Sequence, residues 1–156
     1  MLRTRLSSDL KEAMKSKDTV RLSTLRLICA AIKDRDIDAR IAEGGDAETC
    51  EGCSESEIRS ILARMIKQRQ ESARAYDEAG RPELAAQERA EITVIQGYLP
   101  KQLSEAEVER AVASAIAETG ASSVRDMGRV MAHLKARHTG QMDFARAGAA
   151  VKEAFR

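Results

Sequence analysis

The chain has 156 residues, of which 43% are hydrophobic and 33% charged, and its formal net charge is +1. This length suits one domain or two small ones, and the balanced charge excludes binding to nucleic acid or membrane through bulk charge alone. Aromatic residues make up only 3% of the chain, so the predicted core is aliphatic.

Targeting features point to the cytoplasm. The N-terminal residues contain no continuous apolar run, so we expect no secretory signal. No stretch approaches the roughly 20 apolar residues that span a bilayer, so we expect no membrane partner. Three cysteines, an odd number, favour a reducing compartment over a disulfide framework.

The first forty residues predict two amphipathic helices. Apolar residues recur every fourth position in the first helix, at Leu2, Leu6, Leu10 and Met14. Asp18 is placed to cap a second helix that runs to about Ile41. The apolar stripe of that second helix is wider and comprises Leu22, Leu25, Leu27, Ile28, Cys29 and Ile32.

A Gly-rich acidic loop, residues 44–53, separates these helices from the next pair. Ser54 and Glu57 have the spacing of a capping box, which predicts a third helix from this point. Gly80 and Pro82 end that helix and open a fourth. The fourth helix is predicted to turn Glu91 outward, on a polar face.

Pro100 interrupts the helical pattern because proline lacks an N–H and disfavours helical geometry in the preceding residue. A second capping box at Ser104 and Glu107 starts a run of three shorter helices, the second of which covers residues 123–138 and the third of which is capped by Asp143. The sequence shows no alternating strand pattern. We therefore predict an all-α fold, with a four-helix N-terminal domain at 1–99 and a three-helix C-terminal domain at 100–156, joined by a proline hinge.

One set of residues imitates a zinc or redox motif. Cys50 and Cys53 form C-x2-C, and His133 and His138 form H-x4-H. The intervening segment is too long for a zinc finger, and five residues of helix turn the two histidines about 140° apart. We predict no metal and no cofactor, and two thiols in a variable loop. With no nucleophile, phosphate-loop or metalloprotease motif in the chain, we expect no catalysis by this protein alone.

Basic residues concentrate near the C-terminus. Residues 122–156 contain seven lysines and arginines against three acidic residues. This pattern fits phosphate contacts, although cations near helix C-termini also complement the helix dipole. With so few aromatic residues, any RNA contact would involve backbone and shape rather than base stacking, and we expect no DNA partner. The predicted RNA-binding residues are Arg125, Arg129, Lys135, Arg137 and Lys152.

Three segments carry a family resemblance that covers nearly the whole chain. They are LKEAMKSKDTVRLSTLRLICAAIKD from Leu10, KQRQESARAYDEAGRPELAAQERAEITVIQGYLPKQLSEAEV from Lys67, and ETGASSVRDMGRVMAHLK from Glu118. On these segments the chain resembles the YqeY-like proteins. That family is similar to the C-terminal tail of the B subunit of the tRNA-dependent amidotransferase, a helical appendage implicated in holding tRNA.

The resemblance implies a helical domain followed by a small helical tail, with tRNA as a ligand. It does not supply catalysis, because the ATP- and ammonia-handling residues of the amidotransferase belong to a domain that this chain lacks. Our prediction is a non-catalytic tRNA-binding accessory protein. Two alternatives stay open: a subunit that assists glutamine-dependent amidation, and a protein–protein adaptor that binds no RNA.

Overall fold

The computed structural model describes residues 1–42 and 52–156. All regular elements in these ranges are α-helices or a 3-10 helix, which confirms the predicted all-α fold. The chain divides into two compact units, Met1–Leu99 and Pro100–Arg156. The first unit holds four helices: α1 (Leu2–Ser16), α2 (Thr19–Ala42), α3 (Glu55–Glu78) and α4 (Pro82–Gln96). The second holds α5 (Glu105–Thr119), a 3-10 turn (Val124–Asp126), α6 (Met127–His138) and α7 (Phe144–Ala154).

The core of the first unit is aliphatic, as its composition requires. Its side chains come from all four helices, and the largest fully buried ones are Leu6, Leu25, Ile28, Ile58, Leu62 and Ile95. Two residues predicted for this core lie outside it. On α1 the buried residue is Ala13 rather than Met14, whose side chain is half exposed. On α2, Leu27 is also half exposed.

Local capping signals set where the helices begin. The predicted boxes at Ser54 and Ser104 are both confirmed, since each serine accepts from the N–H of a glutamate three residues on, and that glutamate accepts from the serine N–H. The carboxylate of Asp18 accepts from the N–H of Arg21 at 3.2 Å, at the start of α2. Each of these contacts satisfies a backbone donor that the first turn of a helix leaves without a partner.

Helices α3 and α4 form a hairpin around a glycine–proline turn. Gly80 adopts a φ of +72°, and Pro82 is the first residue of α4. Within the hairpin the Nε of Arg69 lies 2.8 Å from Glu91 Oε2, with side chains only 13% and 14% exposed. Glu91 therefore does not lie on an outer polar face as predicted, because its carboxylate is turned toward the arginine of the neighbouring helix.

A polar cluster joins α1, α2 and the start of α3. The Asp36 carboxylate accepts from both terminal nitrogens of the Arg3 guanidinium, at 2.8 and 3.1 Å. It also accepts from the backbone N–H of Cys53 at 2.8 Å and from the Cys53 thiol at 3.1 Å. Gly52 is confined here, since it has a φ of +77° and an added Cβ would lie 2.9 Å from Asp36 Oδ1. We call Arg3, Asp36 and Cys53 the Asp36 cluster.

A second polar cluster ties α1 to the end of α4. The Tyr98 hydroxyl donates to Asp9 Oδ2 at 2.6 Å. The Arg5 guanidinium carbon lies 4.8 Å from the centroid of the Tyr98 ring, and the same group donates to the Gly97 carbonyl at 3.2 Å. The first helix thus holds the last turn of the unit by hydrogen bonds and a cation–π contact.

The second unit packs three short helices around a small core of its own, formed by Val112, Ala115, Val130, Leu134, Met142, Ala147 and Val151. Gly120 ends α5 with a φ of +67°, and Asp143 caps α7 by accepting from the N–H of Ala145. Helices α6 and α7 approach closely at Gly148, where an added Cβ would lie 3.2 Å from the Met127 methyl.

Candidate nucleic-acid interface

All five predicted RNA-binding side chains are exposed on the second unit, but they do not share one helical face. Three belong to α6, one to α7, and one to the 3-10 turn before α6; they are Arg125, Arg129, Lys135, Arg137 and Lys152. The 123–138 segment was predicted as one α-helix, and its first turn is instead a 3-10 turn. The tighter turn changes the direction of Arg125 relative to Arg129.

Arg129 is held against the end of α5. Its guanidinium donates to Asp126 Oδ1 at 2.9 Å and to the Thr119 carbonyl at 3.2 Å. Asp126 also accepts from the N–H of Ser122 at 3.0 Å, and these contacts, the backbone one first, lower the pKa of its carboxyl. The carboxylate that faces Arg129 therefore stays ionised at neutral pH.

Arg137, eight residues further along α6 than Arg129, shares one acceptor with a histidine. Glu118 Oε2 lies 3.1 Å from an Arg137 guanidinium nitrogen and 2.7 Å from His133 Nε2. His138 makes a separate contact, with its Nδ1 at 3.1 Å from the amide oxygen of Gln141. The two histidines thus have different partners.

Lys135 faces another direction. Its Nζ lies 6.0 Å from the centroid of the Phe144 ring at the start of α7, and helical geometry places it about 120° around the axis from Arg129. Within the described ranges, Arg125, Lys135 and Lys152 have no carboxylate partner in an ion pair. The structure therefore divides the predicted set into two ion-paired arginines and three cations without such a pair.

Gly128 is a feature of this surface that the sequence analysis did not single out. It is exposed in the first turn of α6, between Arg125 and Arg129, and a Cβ added there would meet no heavy atom within 4 Å. An exposed glycine inside a helix costs about 1 kcal/mol relative to alanine. The sequence did contain a sign of it, because Gly128 lies inside a predicted helix at a position where neither a helix end nor a turn calls for glycine.

The cysteines and histidines of the imitated zinc motif do not converge in the described part of the chain. Cys50 lies outside the described residues. Cys53 is buried in the Asp36 cluster, and burial first, then the Asp36 carboxylate, raises the pKa of its thiol. Across residues 1–42 and 52–156, no three side chains of His, Cys, Asp or Glu are grouped so that they could hold a metal ion.

No helix in the described ranges combines the length and the apolar character that crossing a bilayer requires.

Comparison with known proteins places the chain in a family and corrects one prediction. The chain is 32% identical over 115 residues to "Altered inheritance of mitochondria protein 41, mitochondrial" of Lachancea thermotolerans, which covers 72% of this chain and 57% of that protein. The proteins of the same name from Pyrenophora tritici-repentis and Clavispora lusitaniae are 32% and 36% identical, over 85% and 60% of this chain. The matches span 57%, 71% and 49% of these three relatives, so a large part of each lies outside the comparison.

The predicted cytoplasmic location is wrong by this comparison, because these relatives are named as mitochondrial proteins. An odd number of cysteines and the absence of an N-terminal apolar run, on which the prediction rested, do not distinguish the cytoplasm from a mitochondrial compartment. The family itself is clear. The model of the "Yqey-like protein" family matches residues 3–155, and the chain therefore belongs to the YqeY-like family.

Proposed function

We propose that this YqeY-like protein is an accessory protein that binds tRNA through the cations of its second unit. One observation carries the proposal: all five predicted basic side chains are exposed on this unit, and three of the five have no carboxylate partner in the described ranges. Unpaired cations on a small helical surface attract phosphates without first breaking an ion pair. The resemblance of the chain to the amidotransferase tail agrees with tRNA as the polyanion.

The two ion-paired arginines belong to the same unit and add to the binding. Arg129 and Arg137 pair with Asp126 and Glu118 at the protein surface, where such pairs contribute only about 0–1 kcal/mol. Exchanging a carboxylate for a phosphate therefore costs little, and the guanidinium fork suits two phosphate oxygens. The exposed backbone at Gly128 gives a phosphate close access between Arg125 and Arg129.

The expected mode of binding is electrostatic and directed to the RNA backbone. Of the two phenylalanines and two tyrosines in the chain, Tyr98 is buried in the first unit, and Phe144 and Phe155 pack against the core of the second. None of these three offers a free ring for base stacking. Affinity should consequently fall steeply with salt.

The test is a filter-binding titration of the full chain with deacylated and glutamyl-charged tRNA over a range of salt concentrations. The variant replaces Arg125, Lys135 and Lys152 with glutamine. A matched control replaces three exposed cations of the first unit, Arg26, Lys33 and Arg40, with glutamine, so both proteins lose the same charge. Each lost phosphate contact should lower the slope of log affinity against log salt by about 0.7–0.9, which is roughly 2–3 for the triple variant.

The proposal fails if the variant and the control bind tRNA equally, because net charge alone would then explain the affinity. It also fails if the affinity of the unmodified chain does not change between low and physiological salt. A preference for charged over deacylated tRNA would indicate that the aminoacylated end contributes to recognition.

Assistance of glutamine-dependent amidation is a separate alternative with its own assay. Conversion of glutamyl-tRNA to glutaminyl-tRNA with glutamine and ATP tests it directly, and we expect no conversion by this chain alone. The buried Cys53 thiol, whose pKa is raised, is unsuited to attack glutamine, because the thiolate is the nucleophile. Conversion that persists in a Cys53→Ser variant would require another group for catalysis.

A further inference from the structure

Helix α2 buries one side in the core and exposes a second apolar side that no described residue covers. Leu25, Ile28 and Ile32 face the core. Four large apolar side chains lie exposed on the other side, with exposures of 38% for Val20, 49% for Leu27, 53% for Ile37 and 72% for Ile41.

The exposed residues follow the spacing of a coiled-coil seam. Starting at Val20, the positions alternate by three and four residues for three heptads, which is the a/d pattern that faces a partner helix in a coiled coil. The seam is about 32 Å long at 1.5 Å per residue. We call it the outer seam of α2, and its members are Val20, Ser23, Leu27, Ala30, Asp34, Ile37 and Ile41.

One edge of the outer seam is basic throughout. Arg26, Lys33 and Arg40 recur every seven residues, at the g position that flanks each a residue, and all three are exposed. Within the described part of the chain, none of them is in an ion pair. The opposite edge consists of the buried Thr24, the half-buried Ala31 and the exposed Asp38. Three exposed cations on one edge thus compare with a single exposed carboxylate on the other, so the cations dominate the charge that a partner helix meets.

The charges argue against a second copy of the same chain as the partner. In a parallel pair, Asp34 would face the same aspartate of the other copy within the seam. In an antiparallel pair, the basic edges of the two copies would adjoin and repel. Like charges brought together at an interface disfavour that partner, so self-pairing is opposed in both directions.

We propose that the outer seam of α2 binds an amphipathic helix of a different protein, one with an apolar seam flanked by acidic residues. Knobs from such a helix would pack between Leu27, Ile37 and Ile41, and its acidic edge would lie along Arg26, Lys33 and Arg40. This surface belongs to the first unit and goes beyond the proposed RNA binding, which uses the second.

The experiment uses the full chain and two synthetic helical peptides with the same leucine seam. One peptide carries glutamate on both edges of its seam, so it suits either direction of pairing, and the other carries lysine. Fluorescence anisotropy measures binding at low salt. We expect the glutamate peptide to bind roughly tenfold more tightly, since three edge pairs contribute a few tenths of a kcal/mol each.

Two variants locate the binding. Reversing the edge with Arg26→Glu, Lys33→Glu and Arg40→Glu should invert the preference, so that the lysine peptide binds more tightly. Leu27→Ser should weaken both peptides, whereas Val124→Ser should weaken neither. Val124 is a matched control because it is also 49% exposed but lies in the second unit. All substituted side chains are exposed, and circular dichroism checks that each variant keeps its helix content.

Three results would overturn the proposal: no binding of the glutamate peptide, equal affinity for the two peptides, or no effect of Leu27→Ser. Self-association in sedimentation that Leu27→Ser abolishes would also overturn it, in favour of a second copy. The tRNA titration is read separately, because the seam variants leave the cations of the second unit intact and each proposal can fail without the other.

Discussion

Replacing Asp36 with alanine should destabilise the first unit, because its carboxylate accepts hydrogen bonds from two other parts of that unit. Asp36 accepts two hydrogen bonds from Arg3 on α1, at 2.8 and 3.1 Å, and one from the N–H of Cys53 just before α3, at 2.8 Å. A buried N–H that loses its acceptor costs about 1–3 kcal/mol. The partly exposed Arg3 pair contributes about 0.2–1 kcal/mol more. We therefore expect a loss of about 1–4 kcal/mol in the free energy of unfolding.

Urea denaturation followed by tyrosine fluorescence measures this loss in the first unit specifically. The chain has no tryptophan and only two tyrosines, Tyr76 and Tyr98, both in that unit. Asp38→Ala is the matched control, since Asp38 is exposed on the same helix, and it should stay within about 0.5 kcal/mol of the unmodified chain. Equal effects of the two substitutions would refute the reasoning.

The same carboxylate predicts a pH dependence with a defined sign. The hydrogen bond from Arg3, and then the backbone hydrogen bond from Cys53, hold the pKa of Asp36 well below its usual range. A lowered pKa in the folded state contributes stability above the unfolded value of about 3.9, and that stability is lost as the pH falls toward the folded value. The difference between the unmodified chain and Asp36→Ala should shrink by about 1 kcal/mol between pH 6 and pH 3. A constant difference would show that Asp36 ionisation is not coupled to folding.

Three further measurements follow from other contacts. Ser104→Ala removes the cap of α5 and should cost about 1 kcal/mol, seen as a lower melting temperature by circular dichroism, with Ser114→Ala on the exposed face of the same helix as control. Leu62→Ala empties a fully buried core position and should cost about 2–5 kcal/mol in the urea assay; a cost below 1 kcal/mol would contradict its burial. Burial, and then the hydrogen bond to Asp9, raises the pKa of Tyr98 to about 12. Stability from this phenol should persist below about pH 10 and be lost as the pH rises toward 12, and ultraviolet titration of Asp9→Ala should show ionisation at lower pH.

The helices were predictable because their signals are local. Ser54 and Ser104 each have a glutamate three residues later, and Gly80 and Pro82 mark a turn, so the starts and breaks follow from neighbouring residues alone. The apolar period likewise identified most of the core. It failed at Met14, which the spacing of every fourth residue assigned to the core, and at Leu27, which the wide apolar stripe of α2 assigned to the core. The packing of the other helices leaves both side chains exposed.

The polar contacts were not predictable, because they join residues far apart in the chain. Arg3 and Asp36 are 33 residues apart, and Tyr98 and Asp9 are 89 apart. No local pattern distinguishes these charged residues from the many others on exposed helix faces. At the candidate interface the five cations are exposed, and their role in RNA binding stays a prediction. Their pairing with Asp126 and Glu118 depends on how α5 and α6 pack, which the sequence does not display.

The contacts between α1 and the end of α4 also bear on the order of events during synthesis. Arg5 and Gly97 are 92 residues apart in the chain, and translation adds roughly 5–20 residues per second. The first helix thus emerges on the order of 5–18 seconds before its last partners exist. During that interval Arg5 and Asp9 of the first helix lack their partners Gly97 and Tyr98. These contacts are therefore among the last of the first unit to become possible.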